Sequence, residues 1–340
     1  MSAGTEPPSA ATSADQDTGH SNQTKLPKVG FIILSWNQRQ MTLECLDSVM
    51  KQDYPAFSVL VVDNGSTDGS PDAIRAHFPQ VEVLELGQNV GYSAGNNVGM
   101  MHLLKRDYSY VFLLNNDTFV DPHMLRQLVE VAESDLRIGM VGPIMYFADL
   151  PTMIWAGYNR IDWRHAHMVR QGQGQLEEQV GLPSEAFLDV DNVDTCAILV
   201  RRQVIERIGM LDTRYFINLD DVDWSVRAHQ AGFRVVYVPH ARIWHRVSAS
   251  MGFASPATTY YMTRNALLFF WTRAPGLWKI AAVAQIIWRT VWIIGAWTLK
   301  RRYRNDLFRR KRDANVLALR DFFLRRFGQM GADVAKVCYG

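Results

Sequence analysis

From residue 28 to about residue 135 the chain alternates short apolar runs, polar clusters rich in Gly, Asn, Asp and Ser, and segments with apolar residues at helical spacing. Residues 28–34 are nearly continuous in apolar character, the pattern of a parallel strand covered on both faces. Ser35-Trp36-Asn37 follows, then a helical pattern carried by Met41, Leu43, Leu46, Val49 and Met50 and closed by Pro55. Residues 57–62 predict a second strand running into Asp63-Asn64-Gly65-Ser66-Thr67-Asp68-Gly69-Ser70. Pro71 then opens a short helix, where its missing N–H costs nothing. Residues 81–86 predict a third strand, followed by a polar loop over 88–97 and a helix through Leu104. Residues 110–114 predict a fourth, buried strand that breaks off in Asn115-Asn116-Asp117-Thr118, and Pro122 starts the next helix. Four strand–helix units in succession predict an α/β fold with a doubly wound, mostly parallel sheet and right-handed crossovers. All the polar clusters fall at strand carboxyl ends, the edge where such sheets bind ligands. Backbone N–H groups and helix N-termini collected there can receive phosphate.

From Gly139 the rhythm changes. Residues 153–170 predict a hairpin on Trp155, Tyr158 and Trp163, and 172–184 a loop. Residues 193–200 predict a strand and 202–208 a short helix. Asp220-Asp221-Val222-Asp223 follows Phe216, and the spacing of Val222 and Val226 places these acids at a helix N-terminus, where the macrodipole favours them. A strand over 233–238 leads to Ile243-Trp244-His245.

At 340 residues, 48% hydrophobic and 21% charged, the chain is too polar for a polytopic membrane protein and can bury a large core. The net charge of +2 conceals an asymmetry: residues 300–326 hold eleven Lys or Arg against three Asp, so the remainder is net acidic. Cys45, Cys196 and Cys338 lack Cys-x-x-Cys spacing, which suggests neither a disulfide framework nor a zinc site and suits a reducing cytosol. Residues 1–27, rich in Ser, Thr, Ala, Pro and Gln, read as a disordered leader with no secretory signal. Residues 280–299 are long enough to span a bilayer, yet Gln285 and Arg289 lie near the centre, where Arg costs about 2.5–3.5 kcal/mol. An interfacial amphipathic helix with Arg289 snorkelling fits better, its basic sequel binding anionic lipid at about 1 kcal/mol per residue. The membrane surface is therefore an expected partner through residues 277–327, with a buried homodimer helix as the alternative. Nucleic acid is not expected, because the basic run adjoins a Trp-rich apolar helix and carries no reader motif.

Five motifs in order carry a resemblance: Val62-Asp63-Asn64-Gly65-Ser66-Thr67-Asp68-Gly69-Ser70, Asn89 to Asn97, Leu114-Asn115-Asn116-Asp117-Thr118, Asp220-Asp221-Val222-Asp223 and Tyr260-Tyr261-Met262-Thr263-Arg264-Asn265. Each alone is weak; Asn115-Asn116-Asp117, for one, also suits an Asx-type turn. Together they make residues 28–270 resemble an inverting nucleotide-sugar glycosyltransferase of family 2 with the GT-A fold, in the bacterial rhamnosyltransferase-like branch.

The resemblance implies a donor half over 28–135 and an acceptor half over 136–270, while the pattern of residues 271–340 predicts a helical, basic, membrane-associating segment. It implies that Asp63 reads the N3–H of a pyrimidine base, and that Ser35, Asn37, Ser66, Asn89, Gly95, Asn97, Asn115 and Asn116 line the donor. The family's Asp-x-Asp metal motif departs here to Asn115-Asn116-Asp117, so Asp117 would hold Mg2+ or Mn2+ with the donor's diphosphate, helped by His245 and Asn115. Asp221 would be the base that deprotonates the acceptor, Asp220 would orient it, and Asp223 would pair with Arg227 as structure. The implied donor is dTDP-rhamnose first, then a UDP-sugar (galactofuranose, glucose or N-acetylglucosamine), with a glycan or polyprenyl-linked glycan as acceptor. The enzyme would serve cell wall or surface polysaccharide synthesis from the cytoplasmic face of the membrane. The alternative from another class is a non-catalytic nucleotide-sugar-binding paralogue. The absence of Gln-x-x-Arg-Trp argues against a processive synthase.

Overall fold

The apolar runs pair side by side in the protein's structure, a computed structural model that describes residues 1–4, 26–246 and 255–340. The expected leader lies largely outside the described residues. The first elements are β1 (Val29–Ser35), α1 (Arg39–Val49), β2 (Phe57–Asp63), α2 (Ser70–His77), β3 (Glu82–Glu85), α3 (Tyr92–Leu104), β4 (Tyr110–Asn115), β5 (Thr118–Val120) and α4 (Met124–Ser134). Next come β6 (Ile138–Phe147), β7 (Leu150–Ala156), β8 (Asn159–Asp162), β9 (His167–Arg170), α5 (Glu177–Val180) and β10 (Leu188–Asp189). Then follow β11 (Ala197–Arg201), α6 (Arg202–Ile208), α7 (Asp220–Gln230) and β12 (Arg234–His245). Four C-terminal helices complete the chain: α8 (Pro256–Arg273), α9 (Trp278–Leu299), α10 (Asp306–Phe323) and α11 (Ala332–Tyr339).

The main sheet runs β10-β12-β6-β11-β4-β1-β2-β3, with β5 on β12 and β7 on β6. Strands β3, β2, β1 and β4 are mutually parallel, and β12 is parallel to β6. Strand β11 is inserted antiparallel between β4 and β6. Alternate residues of β1 point to opposite faces. Phe31 and Ile33 join a core with α1, α2 and α4, while Ile32 joins a second core with α3, α6 and α7. Burial on both faces is what the continuous apolar run encodes. The mixed α/β sheet flanked by helices is the expected architecture.

Two departures have physical reasons. Strand β6 is almost wholly buried, yet Gly139, Gly142 and Pro143 break its apolar pattern. A Cβ on Gly139 or Gly142 would collide with Val204 or Val193, and Pro143 sits where the β12 pairing shifts register, a place that tolerates a missing N–H. Helix α10 takes in much of the basic run over 300–326, which is helical because its apolar residues Leu317, Leu319 and Phe322 recur on one packed face.

The polar stripe on α9 also turns the other way from expectation. Arg289 does not snorkel outward. Its guanidinium donates to the carbonyls of His165 (3.2 Å) and Ala166 (2.7 Å), and Gln285 donates to that of Arg164 (2.9 Å), which docks α9 on the β8–β9 turn. Ala282, Ile286 and Thr290 are buried on the same side. The outward side carries Leu277, Ile280, Trp288, Val291, Trp292 and Leu299, all exposed.

Helix α7 is tied to α8 through Asp223, which is fully buried. It accepts from Arg227 Nε (2.8 Å), as the i,i+4 spacing predicts, and from Arg273 Nε (2.5 Å) and the Tyr215 hydroxyl (3.3 Å). Removing one member of such a cluster leaves two guanidinium groups without their carboxylate. Asp223→Ala is expected to lower stability by about 3–5 kcal/mol in urea unfolding. A change within about 0.5 kcal/mol, the range of ordinary surface substitutions, would show that this cluster does not hold the two helices together.

Candidate active site

The carboxyl ends of β1, β2 and β4 converge on one edge of the sheet. At the end of β2, Asp63 is buried; its Oδ2 accepts from the N–H groups of Gly65 (3.2 Å) and Ser66 (2.9 Å), closing an Asx-type turn. Its Oδ1 is buried with no hydrogen-bond partner. One oxygen thus caps the loop and the other has no hydrogen-bond partner among the described residues. Asn64 links this loop to the next: Nδ2 donates to Asn89 Oδ1 (3.1 Å) and Oδ1 accepts from Val90 N–H (2.9 Å). Asn89 Oδ1 also accepts from Gly91 N–H (2.9 Å). Gly91 has φ +90°, and a Cβ there would strike the Phe216 ring, so only glycine suits this turn.

A cavity of about 460 Å³ opens at this edge, lined among others by Trp36, Asn64, Asn89, Asn115, Asn116 and Asp117. Other expected donor residues serve the scaffold. Ser35 is buried, its hydroxyl 3.0 Å from Thr42 Oγ1, and Asn116 Nδ2 donates to the same Thr42 oxygen (2.9 Å). Asn97 engages both the N–H and the carbonyl of Leu211. Gly95 allows α3 to approach Leu34 of β1. Asn37 and Ser66 bridge two loops: Asn37 N–H donates to Ser66 Oγ (3.0 Å) and Thr67 N–H to Asn37 Oδ1 (2.7 Å). Neither Ser35, Asn37, Asp63, Ser66, Gly95 nor Asn97 lines the two cavities described here.

Strand β5 pairs antiparallel with the end of β12, setting His245 opposite Thr118. That register brings His245 Nε2 to 3.1 Å from Asp117 Oδ1, outside hydrogen-bond alignment. Asp117 Oδ1 and His245 Nδ1 are buried and have no hydrogen-bond partner. Burial opposes a charge on His245, while Asp117 beside it favours the protonated ring; a metal ligand must be the neutral imidazole, so a cation here would displace that proton. A carboxylate oxygen without a donor, facing an imidazole, is a fitting pair of ligands for Mg2+ or Mn2+. Among the described residues no cluster of three or more His, Cys, Asp or Glu could hold a metal, so oxygens from outside the protein would have to complete the shell. The Asn115 side chain is placed beside both cavities.

The acidic motif enters α7 through strained backbone. Phe216, Asn218 and Leu219 have φ of 64°, 67° and 69°, a region that side chains with a Cβ rarely adopt. Asn265 holds them there: its Nδ2 donates to the carbonyls of Tyr215 (2.9 Å), Ile217 (2.8 Å) and Asn218 (3.0 Å). Arg264 adds bonds to the carbonyls of Arg214 and Tyr215 (both 3.3 Å). The N–H of Tyr92, at the start of α3, donates to Phe216 O (2.8 Å). This clamp presents Asp220 and Asp221 to a cavity of about 240 Å³, which shares Asn115 and Tyr92 with the first.

Asp220 is buried and its Oδ2 is unpartnered. Burial raises its pKa to about 6. Asp221 is half-buried and opens on the cavity. Burial, then Asp194 and Asp220, push its pKa well above the carboxylate range. Asp194 went unnoticed in the sequence. It precedes β11, which runs antiparallel to β4, so the start of β11 returns to the edge where β4 ends. Arg170, 3.4 Å from Asp194, and the buried Asn159, whose Oδ1 is unpartnered, line the same cavity. Only the antiparallel insertion of β11 signals Asp194, and apolar periodicity does not reveal strand direction.

The match to known proteins agrees with this geometry. Residues 27–263 match the family described as glycosyltransferase like family 2. The N-acetylglucosaminyl-diphospho-decaprenol L-rhamnosyltransferase of Mycobacterium tuberculosis is 30% identical over 251 residues, covering 66% of this chain and 79% of its own. The dTDP-rhamnosyl transferase RfbF of Shigella flexneri is 23% identical over 246 residues, covering 70% and 78%. Among solved structures, the mannosyltransferase PcManGT of Pyrobaculum calidifontis, in complex with GDP-Man and Mn2+, superposes with a TM-score of 0.56 at 17% identity over 89% of both chains. TarS 1-349 of S. aureus in complex with UDP-GlcNAc gives 0.54 at 16% identity over 87% of this chain and 80% of its own. The chain belongs to glycosyltransferase family 2.

Proposed function

We propose that the chain transfers a sugar from a nucleoside diphosphate donor to a hydroxyl of a glycan or polyprenyl-linked glycan, by a single displacement with inversion. The observation that carries this reading is the pair of adjoining cavities with Asn115 and Tyr92 in their common wall, Asp117 facing His245 on the donor side and Asp221 on the other. Asp221 accepts the proton of the attacking hydroxyl as its oxygen bonds to the anomeric carbon. The bond from that carbon to the phosphate oxygen breaks, and the nucleoside diphosphate leaves with the electron pair. Asp220 orients the acceptor from the same helix N-terminus. Asp117 and His245, with Asn115 beside them, would hold Mg2+ or Mn2+, which supplies Lewis-acid stabilisation of the departing diphosphate. Asp63 Oδ1 suits the N3–H of uracil or thymine, though it lies behind the cavity wall. The relatives' names favour dTDP-rhamnose as donor, ahead of UDP-linked galactofuranose, glucose or N-acetylglucosamine. The presence of Asp117, Asp221 and His245 weighs against a non-catalytic paralogue.

The base assignment has a pH signature. Asp221 must be ionised to act, and its raised pKa means activity falls, as pH drops, well above the ordinary carboxylate range near pH 4. Asp194→Asn removes a negative neighbour and is expected to shift this acid limb of kcat/KM to lower pH. Asp221→Asn is expected to lower kcat by about two to four orders of magnitude while nucleotide binding persists. Unchanged turnover in Asp221→Asn would exclude it as the base.

The outward face of α9 supports work at a bilayer surface on the cytoplasmic side. Helix α9 is long and apolar enough to cross a membrane, but Gln285 and Arg289 fasten one side of it to the protein. It therefore lies along the surface, Trp288 and Val291 towards acyl chains, with Lys279 and Lys300 to Arg302 near its ends. The full chain is expected to float with anionic liposomes, and the triple variant Trp288→Ser, Val291→Ser, Leu299→Ser to remain in the dense fraction. Equal flotation of the two contradicts the assignment. A concentration-dependent dimer that the variant abolishes, without flotation of either protein, would assign this face to a second copy instead.

A further inference from the structure

We propose that the C-terminal arm, residues 328–339, forms one wall of the nucleotide-sugar site and sets its affinity for the donor. This rests on the donor reading above and extends it to a segment beyond residues 27–263, the part matched by the family. Asn64, Asn115, Asn116 and Asp117 of the 460 Å³ cavity come from strand ends, whereas Gln329, Met330, Ala335 and Tyr339 line it from the arm.

The arm is firmly seated. Val334 and Cys338 of α11 are buried among Ala314, Ala318, Tyr260 and Tyr261. Their i,i+4 spacing fixes the rotation of the helix and turns the next stripe, Ala335 and Tyr339, towards the cavity. Met330 N–H donates to the Tyr261 hydroxyl (3.0 Å). Arg310 donates to the carbonyls of Val337 (2.9 Å) and Cys338 (2.6 Å), satisfying the C-terminal end of α11, and Arg320 pairs with Asp333 (2.5 Å) near its start. These arginines belong to the basic run, so part of its charge is spent holding the arm rather than left for lipid.

The arm also touches the loop that presents Asp220 and Asp221. Gly328 N–H donates to Arg214 O (2.7 Å), and Gly328 O accepts from Arg264 Nη1 (2.8 Å), the same guanidinium that holds Tyr215 O. Phe216 stacks on Tyr261 at 5.4 Å between ring centroids. One set of contacts therefore shapes both the donor wall and the entry to α7. The arm's contribution is chemically distinct from the strand ends: Met330, Ala335 and the Tyr339 ring offer apolar surface, suited to the face of a base or sugar, beside amides and a carboxylate suited to polar groups.

The test uses the full-length chain and calorimetric titration with UDP, dTDP and GDP in the presence of Mn2+. Ala335→Trp places an indole in the cavity and is expected to weaken nucleotide binding at least about tenfold, while Tyr339→Ala weakens it by about three- to tenfold. Lys336→Ala, on the exposed side of α11, should bind as the unaltered chain does. Far-UV circular dichroism and the unfolding midpoint check that each variant is folded, and Tyr339→Ala, an exposed side chain, decides the matter if Ala335→Trp is not. Undiminished binding by folded Ala335→Trp and Tyr339→Ala overturns the inference and leaves the donor reading standing. Failure of the unaltered chain to bind any of the three nucleotides overturns the donor reading, and the inference with it.

Discussion

The approach of His245 to Asp117 is the constraint on which the site depends. It joins the end of the strand that closes the parallel half of the sheet to the end of β12, and the β5–β12 ladder is what makes it obligatory. Slipping that ladder by one residue would turn His245 to the other face of the sheet and leave Asp117 alone. The arrangement is costly by itself, because a buried polar atom without a partner forfeits about 1–3 kcal/mol. His245 Nδ1, Asp63 Oδ1 and Asp220 Oδ2 are of this kind, and Asp117 Oδ1 has only the misaligned His245 ring at 3.1 Å. These four lie at the two cavities or in the loop behind the larger one, where a ligand or ion would supply the missing contacts.

A second cost is stored beside the first. Three residues with positive φ in the run from Phe216 to Leu219 hold α7 at the angle that aims Asp220 and Asp221 into the smaller cavity. The strain persists because Arg264 and Asn265 over-determine it. Both are fully buried, and Arg264 is packed over the rings of Tyr260 and Tyr261 with carbonyls and a hydroxyl around its N–H groups. The Tyr260–Asn265 motif is thus a positioning device for acids some forty residues earlier in the chain. The cluster of Asp223, Arg227, Arg273 and Tyr215 secures the other side of the same helix.

Much of this was legible in the sequence, and what was not has common causes. Strands β1, β2 and β4 were readable because burial on both faces leaves continuous apolar runs, and their polar sequels mark the binding edge. Strand β6 was hidden because close packing demands Gly139 and Gly142, which read as turn residues. Asp194 was hidden because strand direction leaves no trace in periodicity. Asn97 and Ser35 carry the polar chemistry of ligand contacts but use it on Leu211 and Thr42, a distinction set by tertiary neighbours. Arg289 was read against water and lipid when its partners are backbone carbonyls of the β8–β9 turn. The arm's place at the larger cavity follows from long-range packing of α11 on α8 and α10, which no local signal announces.

On the proposed reading the protein would offer a cation two ligands, the Asp117 carboxylate and the His245 imidazole, where it needs more. Mn2+ binding to the full chain, followed by electron paramagnetic resonance with and without UDP or dTDP, measures that shortfall directly. Affinity should rise at least about tenfold when the nucleoside diphosphate that completes the shell is present, and Asp117→Asn should lose that gain. Equal affinity with and without the nucleotide, or a gain that survives Asp117→Asn, would contradict the assignment of this edge as the metal–diphosphate site.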